Sequence, residues 1–185
     1  MHIAIIDNGS RHTPILKNML GQHNQISMFS PAQSSAIDLS AIDLMILSGS
    51  YIRPYFDSVY YPEVDLIKRI NKPLLGICEG HELIAHTYGC EIKKLEYKRT
   101  GVRRLYILKD QSELVRGIDN LMVYEAHRYA VAKVPDHFEA IAESESGIEI
   151  MKHTAKPVFG FQFHPEVTQE NNNGKSVLMN LIYSL

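Results

Sequence analysis

The sequence predicts an α/β fold: a doubly wound, mostly parallel sheet, flavodoxin-like in character, with a small antiparallel side sheet or flap. Three observations predict it. Short apolar, β-branched runs recur, each ending in a polar loop, as strands buried on both faces do. Helical stretches separate the early runs, and β-α-β order makes neighbouring strands parallel with helices on both faces. Between Cys90 and about Gly147 the runs come at closer spacing without helices, which is antiparallel in flavour. The chain has 185 residues, 45% of them hydrophobic, enough for a core without staples. Residues 1–185 are expected to form one domain.

Each element has its own warrant. Residues 2–6 are apolar and β-branched, and Asp7-Asn8-Gly9-Ser10 is a turn. In the stretch that follows, Thr13 suits an N-cap, Pro14 the first helical position and Gly21 the stop. A second strand falls near 25–29. A third is Leu44-Met45-Ile46-Leu47, closed by Ser48-Gly49-Ser50. Residues 60–70 fit a helix, 73–77 a fourth strand, and 82–88 a helix closed by Gly89. Then 91–95, 102–108, 121–123, 130–134 and 138–142 read as short strands. Residues 149–151 and 157–163 read as the last strands, and 175–183 as a closing helix.

Composition narrows the function classes. The net charge of −2 gives no reason to expect nucleic acid as a main partner. Two cysteines, Cys78 and Cys90, make no disulfide framework. The N-terminus reads as a strand rather than a leader, and no run of 18 apolar residues marks a membrane span. A cytoplasmic location is expected. Nine histidines invite a metal, but His81 and His86 are five apart, and no H-E-x-x-H or paired C-x-x-C occurs, so no metal site is expected. No G-x-x-x-x-G-K-[ST] loop is present for ATP.

The most informative segment is Gly76-Ile77-Cys78-Glu79-Gly80, between an apolar strand and a helix. In that context a G-x-nucleophile-x-G turn presents its central side chain at a strand end. The N–H of Glu79 can face a developing oxyanion, and the helix N-terminus favours a thiolate. A buried structural cysteine is the competing reading. The needed base is supplied by Gln162-Phe163-His164-Pro165-Glu166. If the chain stays extended there, His164 and Glu166 point the same way, and the carboxylate fixes the imidazole that draws the thiol proton.

With these residues the chain resembles the class I glutamine amidotransferases over nearly its whole length. The landmarks are Asp7-Asn8-Gly9, Leu47-Ser48-Gly49, the Cys78 turn with His81, and Gly160-Phe161-Gln162-Phe163-His164-Pro165-Glu166-Val167. Within the family it is most similar to the stand-alone amidotransferase subunits of GMP synthases. Its length, Met151-Lys152-His153 before Lys156-Pro157, and Val167 after His-Pro-Glu carry that similarity. The resemblance implies a triad of Cys78, His164 and Glu166. It attacks the side-chain amide of glutamine, forms a γ-glutamyl thioester and releases ammonia to a partner synthase. It also implies no cofactor or metal in this chain, with ATP and Mg²⁺ belonging to the synthase.

Departures from the family pattern leave alternatives open. Ser50 stands where a second glycine would donate an oxyanion N–H, and a positive φ there would strain it. Glu79 replaces an apolar residue; its carboxylate could oppose a thiolate, but we expect it to point into solvent. Glu82 replaces a substrate-contacting Gln. Gly49, Glu82 and His127 are the substrate-binding candidates. His127 lies in Tyr124-Glu125-Ala126-His127-Arg128, read as a loop near the substrate. The basic run around residues 93–104 is a solvated face or a docking surface. Tyr51, Tyr55, Tyr60 and Tyr61 could form a lid or partner surface. Two other functions stay in competition: a stand-alone γ-glutamyl amide or peptide hydrolase, and a binding module of altered catalysis on the same fold.

Overall fold

Alternation inside the early strands decides how the helices pack. The structure, a computed structural model, describes residues 1–185. In chain order the elements are β1 (His2–Ile6), α1 (Thr13–Gly21), β2 (Gln25–Phe29), β3 (Leu44–Leu47), α2 (Tyr61–Arg69), β4 (Leu74–Ile77) and α3 (Glu79–Thr87). Then follow β5 (Glu91–Arg104), β6 (Tyr106–Ile107), β7 (Met122–Lys133), β8 (Phe138–Glu143), β9 (Ile148–His153), β10 (Val158–Phe161) and α4 (Gly174–Ser184). Ile3, Ile5, Leu44, Ile46, Leu75 and Ile77 face one side, where Leu16 and Leu20 of α1 and Val177, Leu178 and Leu181 of α4 cover them. Ala4, Ile6, Met45, Leu47 and Leu74 face the other, under Leu66 and Ile67 of α2 and Leu83 and Ile84 of α3. These strands are buried on both faces, which is why they read as unbroken apolar runs. Each such aliphatic side chain contributes about 1.5–3 kcal/mol on burial.

The sheet runs β2-β1-β3-β4-β10-β9-β7-β5, with β8 pairing β9 and β6 pairing β8. From β2 through β10 the neighbours are parallel. Beyond β10 all pairings are antiparallel. The expected fold class holds: a mostly parallel, doubly wound sheet with an antiparallel extension. Register places Leu47 level with Gly76, and Gly76 level with Gly160. The loops after β3, β4 and β10 therefore leave the same edge, side by side. No helix is long and apolar enough to cross a membrane.

Several elements differ from the sequence reading. The four short strands expected within 91–108 and 121–134 are chiefly two long ones, β5 and β7. The segment from Tyr124 to Arg128 is thus strand, not loop. Apolarity misleads there because the buried positions of β7 include Glu125 and His127. β5 is an edge strand with register shifts at Glu91/Ile92 and Lys94/Arg99. Its exposed Lys and Arg side chains suit an edge that must not pair with another chain. Helix α3 begins at Glu79, three residues before the expected start. In α1 the N-cap is His12, and the Thr13 hydroxyl instead donates to Asp7 at 2.9 Å.

Candidate active site

The carboxyl ends of three adjacent parallel strands converge. Cys78 follows β4 with φ 53° and ψ −106°, a conformation that costs a non-glycine residue about 1–3 kcal/mol. The surroundings hold it there. Its N–H donates to Phe161 O at 2.7 Å, and its carbonyl accepts from Glu82 N–H at 3.0 Å. Both flanking glycines are sterically required: a Cβ on Gly76 would meet the Gly80 backbone, and one on Gly80 the Leu47 backbone. The turn can form only where strand and helix approach this closely.

His164 reaches the same point from beyond β10. A Cβ built on Gly49 would lie 3.2 Å from both Cys78 Cβ and His164 Cε1, so both residues border the space that Gly49 leaves open. His164 Nδ1 lies 2.9 Å from Glu166 Oε1, and both side chains are buried. The expected extended chain is not the reason. Residues 164–167 form a turn, closed by Val167 N–H donating to His164 O at 3.2 Å, and the pair meets across it. His164 N–H donates to Tyr124 O on β7 at 2.9 Å. The His12 ring packs edge-on against the His164 ring, centroids 4.9 Å apart.

Cys78 and His164 open into a cavity of about 650 Å³, walled by Ser50, Glu79, Glu82 and His127 among others. Arg11, Tyr51, Arg53, Lys98 and Arg128 also line it. The Arg11 guanidinium lies 3.6 Å from the centroid of the Tyr51 ring. The sequence reading missed Arg11 and His12. Their signal was position, since the loop after β1 leaves the sheet edge where ligands bind in such folds. Of the tyrosine cluster, Tyr51 reaches the cavity, whereas Tyr60 is fully buried in the core.

The structure answers the question left open at Ser50 and corrects the expectation for Glu79. Ser50 is not at positive φ, so it carries no left-handed strain. Its Oγ accepts from the N–H groups of Ile52 and Arg53 at 3.3 and 3.1 Å, turning the loop. Glu79 does not point into solvent. It is 3% exposed, and its Oε2 accepts from Asn8 Nδ2 at 3.0 Å. That Asn8 amide also lies 3.3 Å from Glu63 Oε2 and 3.2 Å from Ser48 O. Burial is favourable here because the carboxyl can be neutral: burial first, then Glu63 and Glu82, raise Glu79 well above the usual carboxylate range.

The same physics sets the other groups. Burial pushes Glu63 and Glu82 each up to about 8. Glu82 Oε1 accepts from Gln162 Nε2 at 3.0 Å. Burial above all pushes the Cys78 thiol up, and Glu82, Glu79 and Glu166 push it further when ionised, while the Glu79 N–H favours its thiolate. The group therefore rests as a thiol and needs a base at the moment of attack. His81 is fully buried, and burial holds it neutral, with its pKa down at about 3. It packs against β10, where a Cβ on Gly160 would meet its Nδ1.

His127 lines the cavity, but its nitrogens turn elsewhere. Nδ1 lies 2.7 Å from Tyr129 O. Nε2 lies 3.6 Å from Glu125 Oε2 and 3.7 Å from Glu149 Oε1. Burial opposes its charge, but the two carboxylates and the Tyr129 carbonyl outweigh burial and raise it to about 8. Glu125, His127 and Glu149 are the group that could hold a metal ion. Motif spacing could not reveal them, because Glu149 comes from β9.

Comparison with known proteins shows the family. The family model described as glutamine amidotransferase class-I matches residues 4–184. The chain is 43% identical over 106 residues to the glutamine-hydrolyzing GMP synthase subunit of Methanothermobacter thermautotrophicus, an alignment spanning 56% of each protein. It is 30% identical over 182 residues to the corresponding subunit of Methanocaldococcus jannaschii, covering 96% of this chain and 94% of that one. A crystal structure of a proposed GMP synthase subunit from Thermoplasma acidophilum superposes with a TM-score of 0.87 at 24% identity, over 99% of this chain and 92% of that one. The family match runs from within β1 to the end of α4, so the chain belongs to the class-I glutamine amidotransferase family.

Proposed function

We propose that this chain is the glutaminase subunit of a GMP synthase, releasing ammonia from glutamine through Cys78, His164 and Glu166. The observation that carries the reading is that Cys78 and His164 both border the space beside Gly49, with Glu166 held on Nδ1 of the imidazole. Glu166 accepts from Nδ1–H and leaves Nε2 free to take the thiol proton. The Cys78 sulfur attacks the side-chain carbonyl carbon of glutamine, while the N–H groups of Glu79 and Ser50 receive the oxyanion. His164 returns the proton to the departing nitrogen, and ammonia leaves. Water, deprotonated by His164, opens the γ-glutamyl thioester and frees glutamate and the thiol.

Glu82 and His127 wall the cavity onto which this centre opens, and Gly49 lies beside Cys78 and His164. A neutral Glu82 resembles a glutamine side chain in shape and in having both a donor and an acceptor, which supports glutamine as substrate despite the changed residue. No cofactor takes part in these steps. The ATP-consuming, Mg²⁺-dependent amination belongs to a synthase partner, in keeping with the relatives' names as subunits.

One observation favours a second reading. Arg11, Lys98 and Arg128 on a roomy cavity suit a γ-glutamyl compound bearing a further acidic group. Purified chain incubated with L-glutamine, and separately with γ-glutamyl amides and peptides, separates the two. Slow glutamine turnover together with a covalent adduct of a glutamine-like electrophile on Cys78 supports the synthase role. Fast cleavage of another γ-glutamyl compound, with glutamine ignored, replaces it with the hydrolase.

A further inference from the structure

We propose that Glu125, His127 and Glu149 form a binding site for a divalent transition-metal ion of the Zn²⁺ class, set between β7 and β9 behind the active-site cavity. The three side chains are 1%, 3% and 0% exposed. Their ligand atoms lie within 4.8 Å of one another. His127 Nε2, Glu125 Oε1 and Glu149 Oε2 have no hydrogen-bond partner, which is costly for buried polar atoms.

The surroundings are those of a metal ligand set. The Tyr129 carbonyl, 2.7 Å from Nδ1, can only accept, so Nδ1 carries a proton, and Nε2, once its own proton leaves, aims a lone pair between the two carboxylates. Ser144 Oγ donates to Glu149 Oε1 at 2.9 Å and orients it. A ligating imidazole fixed by a backbone carbonyl, beside a carboxylate fixed by a hydroxyl, is the outer shell such sites use.

A lone pair facing two carboxylates requires a cation between them, either a proton or a metal ion. A proton on Nε2 serves one carboxylate at a time, and both oxygens, at 3.6 and 3.7 Å, are beyond hydrogen-bond reach. Two ligands each about 2.1 Å from a common Zn²⁺ lie about 3.4 Å apart at a tetrahedral angle, close to the separations seen. An imidazole and two carboxylates are also the donor mix this ion class accepts, with one position left for water.

Access and consequence follow from position. His127 borders the large cavity, and Glu125 and Ser144 border a second one of about 170 Å³. Between β7 and β9 the only paired residues are Val131 and Ile148, so the ladder there is sparse. An ion would cross-link that seam. β7 carries Tyr124, whose carbonyl holds the His164 N–H.

The test uses the whole chain, stripped with a chelator and titrated with Zn²⁺ alone against a chromophoric competitor, and separately with Co²⁺ alone. We expect one Zn²⁺ per chain, bound equally well by Cys78→Ser and by His153→Ala. Glu125→Gln and Glu149→Gln, which keep side-chain volume, should each weaken binding by at least about tenfold. Co²⁺ bound to unaltered protein should give visible d–d bands of a nitrogen- and oxygen-ligated ion and no thiolate charge-transfer band. That readout stands even if a variant fails to fold. No binding to the unaltered chain, a thiolate band, or loss of binding in Cys78→Ser would overturn the site.

Discussion

At the scale of single residues, the chemistry divides between groups that react and groups that tune. Cys78→Ala and His164→Ala remove nucleophile and base, and glutamine hydrolysis should fall by about 10⁴-fold or more for each. Glu166→Ala removes only the group that orients the imidazole, so a smaller loss, about 10²-fold, is expected from the same assay. Equal, mild losses from all three would sink the triad. Glu82 tunes. It is neutral below about pH 8, and ionising it places a buried negative charge where it disfavours the Cys78 thiolate. The rate of the unaltered chain should therefore turn down above about pH 8, and Glu82→Gln should move that downturn to higher pH. An unchanged alkaline limb in Glu82→Gln, read from a pH series of kcat/KM, would remove Glu82 from this role. Cys78, His164 and Glu166 were legible in the sequence because local motifs carry them. The burial of Glu79 was not, because its partners Asn8 and Glu63 come from distant segments and only the fold assembles them.

At the scale of elements, the site depends on how closely β3, β4 and α3 approach. Gly80, like Gly76, leaves no room for a side chain, and any Cβ on it would enter the Leu47 backbone. Gly80→Ala should cost about 1–3 kcal/mol, by overpacking against atoms that cannot rotate away. A lowered urea midpoint with unchanged slope would show it, and a midpoint equal to that of the parent chain would contradict the packing argument. Gly49 differs in kind. A methyl there sits at 3.2 Å from Cys78 Cβ and His164 Cε1, which small adjustments can absorb, so the damage falls on alignment. Gly49→Ala should lower kcat more than it lowers the unfolding midpoint. Legibility followed the same division. β1, β3, β4 and β10 were readable because both faces are buried in hydrocarbon. β7 was broken into pieces by the reading because its inward positions carry Glu125 and His127. β5 was broken because, as an edge strand, it buries too little to show a period.

At the scale of the whole molecule, the fold carries an unusual load of buried carboxyl groups, and that load sets how stability depends on pH. Glu63 and Glu82 are raised from about 4.5 to about 8, and Glu79 is raised well above its ordinary value. Below about pH 4.5 each binds its proton in the folded and unfolded chain alike. Between there and about 8 the unfolded chain gives the proton up and the folded chain keeps it. Unfolding therefore releases protons, and stability falls as pH rises through that window. His81 works in the opposite sense: with its pKa at about 3 when folded, its contribution is lost as pH falls below about 6.5. Glu113, whose pKa is lowered by Lys152 at 2.7 Å, adds to loss only on the acid side of about 4.5. Glu149, raised to about 7, adds to the three carboxyls, and the contribution of His127, raised to about 8, is also lost as pH rises through that value. The lowered His12 and His153 side with His81. Four carboxyls and His127 decide the sign above pH 5. Thermal unfolding at constant ionic strength should give a higher midpoint at pH 5.5 than at pH 8. A difference of about 2 kcal/mol corresponds to roughly 4–8 °C for a chain of this size. Glu63→Gln lies away from the reacting groups and should flatten the slope without reversing it. A midpoint that rises from pH 5.5 to 8 would mean that these carboxyls are ionised inside the fold, and the neutral Glu82 on which the glutamine reading leans would fall with them.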